Sequence, residues 1–95
     1  MITIAEFEPL LNQPFKIQFS DQDLVLELSE VKRSGKPYKE GAREPFSLLF
    51  NAEASRGILR QGNYHLENKE MGKQSMFLVP VGVDENICQY EAIYN

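Results

Sequence analysis

His65 is the only histidine and Cys88 the only cysteine in the 95 residues of this chain. Together they bound the acid–base, nucleophilic and metal chemistry open to it. His65 stands two residues before Glu67. On an extended strand those positions share a face, so the carboxylate could orient the imidazole as a general base. That arrangement also needs a nucleophile or a substrate pocket, and the sequence marks neither. A histidine on the outer face of a strand explains the same residues. Zinc requires three or four ligands, drawn mainly from Cys and His. One of each, 23 positions apart, falls short. Asp21/Asp23 and Asp84/Glu85 offer oxygen ligands, but neither stretch has the alternating ligands and central glycine of a calcium loop, and both read as turns. Cys88 has no basic neighbour in sequence to activate it and reads as a small buried hydrophobe. The six glycines are spaced as turn residues rather than as a phosphate cradle. The expectation is a protein with no catalytic residue, no metal and no cofactor, and so not an enzyme.

A second chemistry is electrostatic. Net charge is −4, yet residues 32–43 carry +4 by themselves, leaving −8 on the rest. Tyr38 lies within that basic stretch, so Lys32, Arg33, Lys36, Tyr38 and Lys39 combine cations with a stacking ring, the elements of single-strand nucleic-acid contact. One ring and a local +4 on an acidic body support only weak, salt-sensitive binding. A uniformly basic nucleic-acid binder is excluded, and the expected state of the stretch is a solvated loop.

The elements that must position these residues follow from periodicity. Thr3 and Glu6 have capping-box spacing, and Ile4, Phe7, Leu10 and Leu11 repeat at helical intervals, predicting a helix of two or three turns limited by Pro9. From Phe15 the period becomes two. Phe15, Ile17 and Phe19 form one inward row; after the turn Ser20–Asp23, Leu24, Leu26 and Leu28 form the next, and the two predict a hairpin. Further strands are predicted over Phe46–Phe50, Tyr64–Glu67, Gln74–Val81 and Tyr90–Tyr94. Asn51–Gln61 connects the third to the fourth, with Ile58 and Leu59 dipping toward the core, and Val83–Gln89 is a polar loop. The fold predicted is mainly β. It is a single domain over 1–95, a six-stranded antiparallel meander closing into a small barrel or roll, with a short N-terminal helix.

Three of these strands are apolar on both faces. Leu49 opposes Phe46, Leu48 and Phe50; Phe77, Val79 and Val81 oppose Met76, Leu78 and Pro80; Ile93 opposes Tyr90, Ala92 and Tyr94. A small barrel has one interior, so if these strands are neighbours, Leu49, Phe77, Val79 and Ile93 form an outer patch that needs a second cover. One cover is the N-terminal helix, through Phe7, Leu10 and Leu11. Another is a second copy of the chain, a homodimer that Phe77→Asp or Val79→Asp would separate without unfolding either half. A third use of the fold is a small-ligand-binding barrel lined by Tyr64, Tyr90, Tyr94 and Phe50.

No apolar run reaches the roughly 18 residues of a membrane span. The opening Met1–Leu11, with Glu6, Glu8 and Pro9, does not read as a signal peptide. With one thiol and no export signal, the expected location is cytoplasmic, with incorporation into a particle also open. Four stretches in order, Arg43–Phe50, Gln61–Asn68, Met76–Gly82 and Tyr90–Asn95, resemble a family of stand-alone bacterial domains of about this length, catalogued as a domain of unknown function. The likeness also takes in Phe7–Leu10 and Gln13–Phe15. It brings no activity and no catalytic residue. It implies a non-enzymatic structural or interaction protein, an accessory to phage-tail-collar-like or fibre-like proteins beside which family members lie.

Overall fold

Alternation of apolar and polar side chains, carried along six strands, closes this chain on itself. The computed structural model describes residues 2–37 and 39–95. Its strands are β1 (Pro14–Gln18), β2 (Asp23–Arg33), β3 (Phe46–Glu53), β4 (Gly62–Asn68), β5 (Gly72–Val83) and β6 (Ile87–Tyr94). They form a closed antiparallel barrel in the order β1-β2-β3-β6-β5-β4. Two three-stranded meanders, β1 to β3 and β4 to β6, are therefore joined along β3 and β6 and again along β1 and β4. The β3–β6 seam runs in unbroken register from Phe46↔Tyr94 to Glu53↔Ile87. The β1–β4 seam is pinned at Lys16↔Glu67.

Several elements outrun their sequence signals. β2 continues to Arg33, so Lys32 and Arg33 belong to a strand and not to a loop. β6 begins at Ile87, which shrinks the predicted polar loop to a turn about Asp84, whose carboxylate accepts from the amides of Asn86 and Ile87 at 2.8 Å each. Those two amide donors hold the Asp84 carboxyl below its ordinary range. Bulges between Leu28 and Glu30 and between Pro80 and Gly82 bend β2 and β5 around the barrel's corners. The second follows from Pro80, which has no N–H to give to a ladder.

Phe15, Ile17, Leu24, Leu26, Leu28, Phe46, Leu48, Phe50, Leu66, Met76, Leu78, Cys88, Tyr90 and Ala92 fill the interior, all buried. Phe19, predicted to continue the first inward row, falls after β1 ends at Gln18 and is partly exposed. Ile58 is exposed as well, whereas Leu59 packs on the core.

The N-terminal helix is shorter than predicted. A single α turn, α1 (Ile4–Phe7), passes into a 3₁₀ turn at Glu8–Leu10, because Pro9 cannot donate the next α-helical bond. The Thr3 side chain makes no cap; the Glu6 amide donates to the Thr3 carbonyl instead, at 3.1 Å. Asn12 then adopts φ 70°, a left-handed conformation that Asn tolerates, and its amide donates to Leu28 at 2.7 Å. That bond folds the helix back against β2 beyond Glu27, the last β2 residue paired with the five-residue β1. Ile4, Phe7 and Leu10 are buried there, with the Phe7 ring 5.8 Å from Phe46 and 5.6 Å from Tyr94. The helix is a plug in one mouth of the barrel. It does not cover the outer patch, contrary to the first of the covers considered above.

The opposite mouth is closed by the β3–β4 connection. Tyr90, fully buried, accepts the Leu59 amide on its hydroxyl at 2.8 Å. Burial pushes the Tyr90 phenol up to about 12, with the nearby Cys88 side chain adding to the rise. An unfolded tyrosine ionises near 10, so the stabilisation from a neutral Tyr90 is whole below about pH 10 and is lost as pH climbs toward about 12. Urea midpoints measured from pH 9 to 12 are expected to fall more steeply for the native chain than for Tyr90→Phe, and parallel curves would refute this.

Candidate functional site

The residues singled out by the sequence lie mainly on the outer wall of the barrel, which has two unlike sides. One side is polar. Across β1, β4 and β5 run Lys16, Glu67 and Lys73, paired in register. These three, with Gln18 and His65, line a shallow cleft of about 340 Å³. Lys16 also lies 3.9 Å from Asp23. His65 is exposed as expected, but its partner is not Glu67: the Ser75 hydroxyl lies 2.8 Å from His65 Nδ1. Sequence reasoning missed Ser75, since no spacing links it to His65; the β4–β5 register brings them opposite one another. A serine beside an imidazole is a nucleophile and base in principle. Both are exposed on the outer wall of the barrel, paired across β4 and β5.

The other side is apolar, and it forms because β3, β6 and β5 are neighbours. Leu49 and Val79 flank Glu91 of β6 on its two sides, paired with it in register. Phe77 and Ile93 lie one step beyond the Leu78↔Ala92 pair, side by side on the same outer face. They are 48% and 58% exposed. Leu49 and Val79 are half-buried. Ser47 borders the patch above, and below it the Gln89 amide donates to Asn51 Oδ1 at 3.1 Å. The four residues singled out by double-faced apolarity are thus contiguous. Glu91 at their centre carried no signal, because one carboxylate on a strand reads as an ordinary solvent-facing residue.

The basic stretch does not form a comparable surface. Arg33 pairs with Glu44. Arg43 donates to the Asn95 main-chain oxygen at 2.6 and 3.1 Å and to the Ile2 carbonyl at 3.0 Å, and lies 5.3 Å over the Tyr94 ring. It is a structural clamp between the two chain ends, a role that composition counted only as charge. Lys32, Lys36 and Lys39 are exposed, and Tyr38 lies outside the described residues. The four candidate pocket-lining aromatics are likewise committed to packing. Phe50 meets Phe15 edge-on at 5.3 Å, Tyr90 holds Leu59, Tyr94 stacks on Phe46 at 4.8 Å, and Tyr64 donates to the Arg60 carbonyl at 2.6 Å. Burial and the Tyr94 ring's apolar setting raise its phenol, and Arg43 partly offsets the rise.

Among the described residues no three Cys, His, Asp or Glu side chains gather as a metal site, and no helix is long and apolar enough to cross a membrane. Fold and surface together define a six-stranded closed antiparallel barrel with a plugged interior and an uncovered apolar wall. The chain belongs to the family described as Domain of unknown function (DUF6916), whose model matches residues 2–94. No curated protein and no solved structure matches it.

Proposed function

We propose that this chain is a non-enzymatic protein-interaction domain that docks another protein on the outer wall of β3, β6 and β5. The observation that carries the reading is the exposure of Phe77 and Ile93 side by side. The chain's own amphipathic helix is consumed in the barrel mouth and leaves that wall bare. Adjacent exposed aromatic and aliphatic side chains on a rigid sheet are the usual centre of a binding surface. The resemblance noted above supplies the partner class, a fibre-like or phage-tail-like protein, to which this domain is an accessory. The ligand-binding-barrel reading has no comparable support, since each aromatic it would use is engaged in the core or in a hydrogen bond.

Photo-crosslinking in the native host tests the proposal. A benzophenone-bearing phenylalanine replacing Phe77 or Ile93 is expected to yield a discrete protein adduct, and the same replacement of Lys16 on the polar side is not. Identification of the adduct as a fibre-like protein supports the finer reading. Failure of both apolar positions, or equal labelling from all three, removes this wall as the interface.

A further inference from the structure

The apolar wall has a charge at its centre. Glu91 is half-buried between Leu49 and Val79, with Ile93 two residues along the same face. Its carboxylate has no ion-pair or hydrogen-bond partner among the described residues; the ion pairs on the barrel are Lys16–Asp23 and Arg33–Glu44, both elsewhere. In the free protein water solvates this carboxylate from the open side. Any partner that covers Phe77 and Ile93 strips that water away, and a buried charge left unpaired opposes binding.

Resting on the interface reading above, we infer that the partner is a different protein presenting a lysine or arginine set among apolar side chains, with the cation placed on Glu91. An arginine satisfies both carboxylate oxygens at once and tolerates desolvation better than an ammonium. A wholly apolar partner is rejected by the same carboxylate, so Glu91 confers selectivity that the hydrophobic side chains around it cannot. A second copy of this chain fits poorly. The cations on or beside this wall lie at its rim: Lys32 of β2 is paired with Ser47, and Lys73 of β5 is paired with Glu67 on the polar side, whereas Glu91 is paired with Leu49 and Val79. A two-fold pairing centred on Glu91 therefore sets the two carboxylates against each other and leaves both cations at the margin.

Selection of a random-peptide display library against the purified full chain tests this. The native chain is expected to enrich apolar peptides carrying Lys or Arg, and Glu91→Lys to enrich peptides carrying Asp or Glu. For a peptide selected on the native chain, Glu91→Lys weakens binding on the order of tenfold, and reversing the peptide's cation to Glu restores it to the variant. Peptides without a cation, or identical selections by the two proteins, overturn the inference while leaving the interface in place. Selections unchanged by Phe77→Asp overturn the interface itself. Concentration-dependent dimers in light scattering, abolished by Ile93→Asp, assign the wall to a second copy and also overturn the inference.

Discussion

Asn68→Ala is expected to lower unfolding stability by about 3 kcal/mol, a loss far out of proportion to the size of the side chain removed. Asn68 is the one buried polar residue of the described chain, 2% exposed. Its Nδ2 donates to Gln13 Oε1 and to the Pro14 carbonyl, each at 3.1 Å. Its Oδ1 accepts from the amides of Glu70 at 2.9 Å and Met71 at 3.0 Å. One amide therefore joins the start of β1, the end of β4 and the turn into β5, at the seam that closes the barrel. Alanine leaves both turn amides and the Pro14 carbonyl without their partner, and each orphaned group costs about 1–3 kcal/mol to the extent that water cannot reach it. For a domain of this size, a loss of that order lowers the thermal midpoint by roughly 15 °C. Asn68→Asp keeps the acceptors for the turn but sets a buried carboxylate oxygen against Gln13 Oε1 and the Pro14 carbonyl, so at neutral pH it should destabilise at least as much as alanine. A loss below about 1 kcal/mol for alanine would mean that the seam does not depend on this residue.

Phe7→Ala is expected to cost about 3–4 kcal/mol and to open one mouth of the barrel. Phe7 is fully buried, and its ring packs on both Phe46 and Tyr94, which stack on each other at an interplanar angle of 9°. A single α turn cannot persist without such an anchor, since helices this short are not stable in water. The variant should therefore lose the plug as a unit, bind a hydrophobic dye through the uncovered Phe46 and Tyr94, and expose the amides of residues 4–13 to rapid hydrogen exchange. Leu11→Ala, one residue past the 3₁₀ turn and substantially exposed, is the control and should lie within about 0.5 kcal/mol of the native chain. Equal effects from the two substitutions would mean that the helix is an ornament on a barrel closed by other means.

Much of this architecture is legible in the sequence, because period-two alternation is a local property. Phe15 and Ile17, Leu24 to Leu28, Phe46 to Phe50 and Met76 to Leu78 announce both their strands and their inward rows. Double-faced apolarity alone marks Leu49, Phe77, Val79 and Ile93, since a residue pattern with two apolar faces cannot be satisfied by one interior. Strand ends were less legible. Polar residues such as Gln89 and Lys32 carry no alternation signal, yet they remain in strands because a neighbouring strand continues alongside them.

What the tertiary structure alone decided is which residues meet across the barrel. The hairpin from β1 to β2 follows from adjacency, but the pairing of β3 with β6 joins residues some forty positions apart, and no local pattern encodes it. That pairing places Glu91 between Leu49 and Val79 and so turns a row of exposed apolar side chains into a surface with a charge preference. The register of β4 on β5 likewise made the Ser75–His65 contact, and the brevity of β1 gave the helix a gap to fill. Side-chain type and period determined a small antiparallel β domain with surplus apolar surface. Long-range register determined where that surplus lies, because the helix that could have covered it lowers its free energy more by burying Phe7 against Phe46 and Tyr94 inside the mouth.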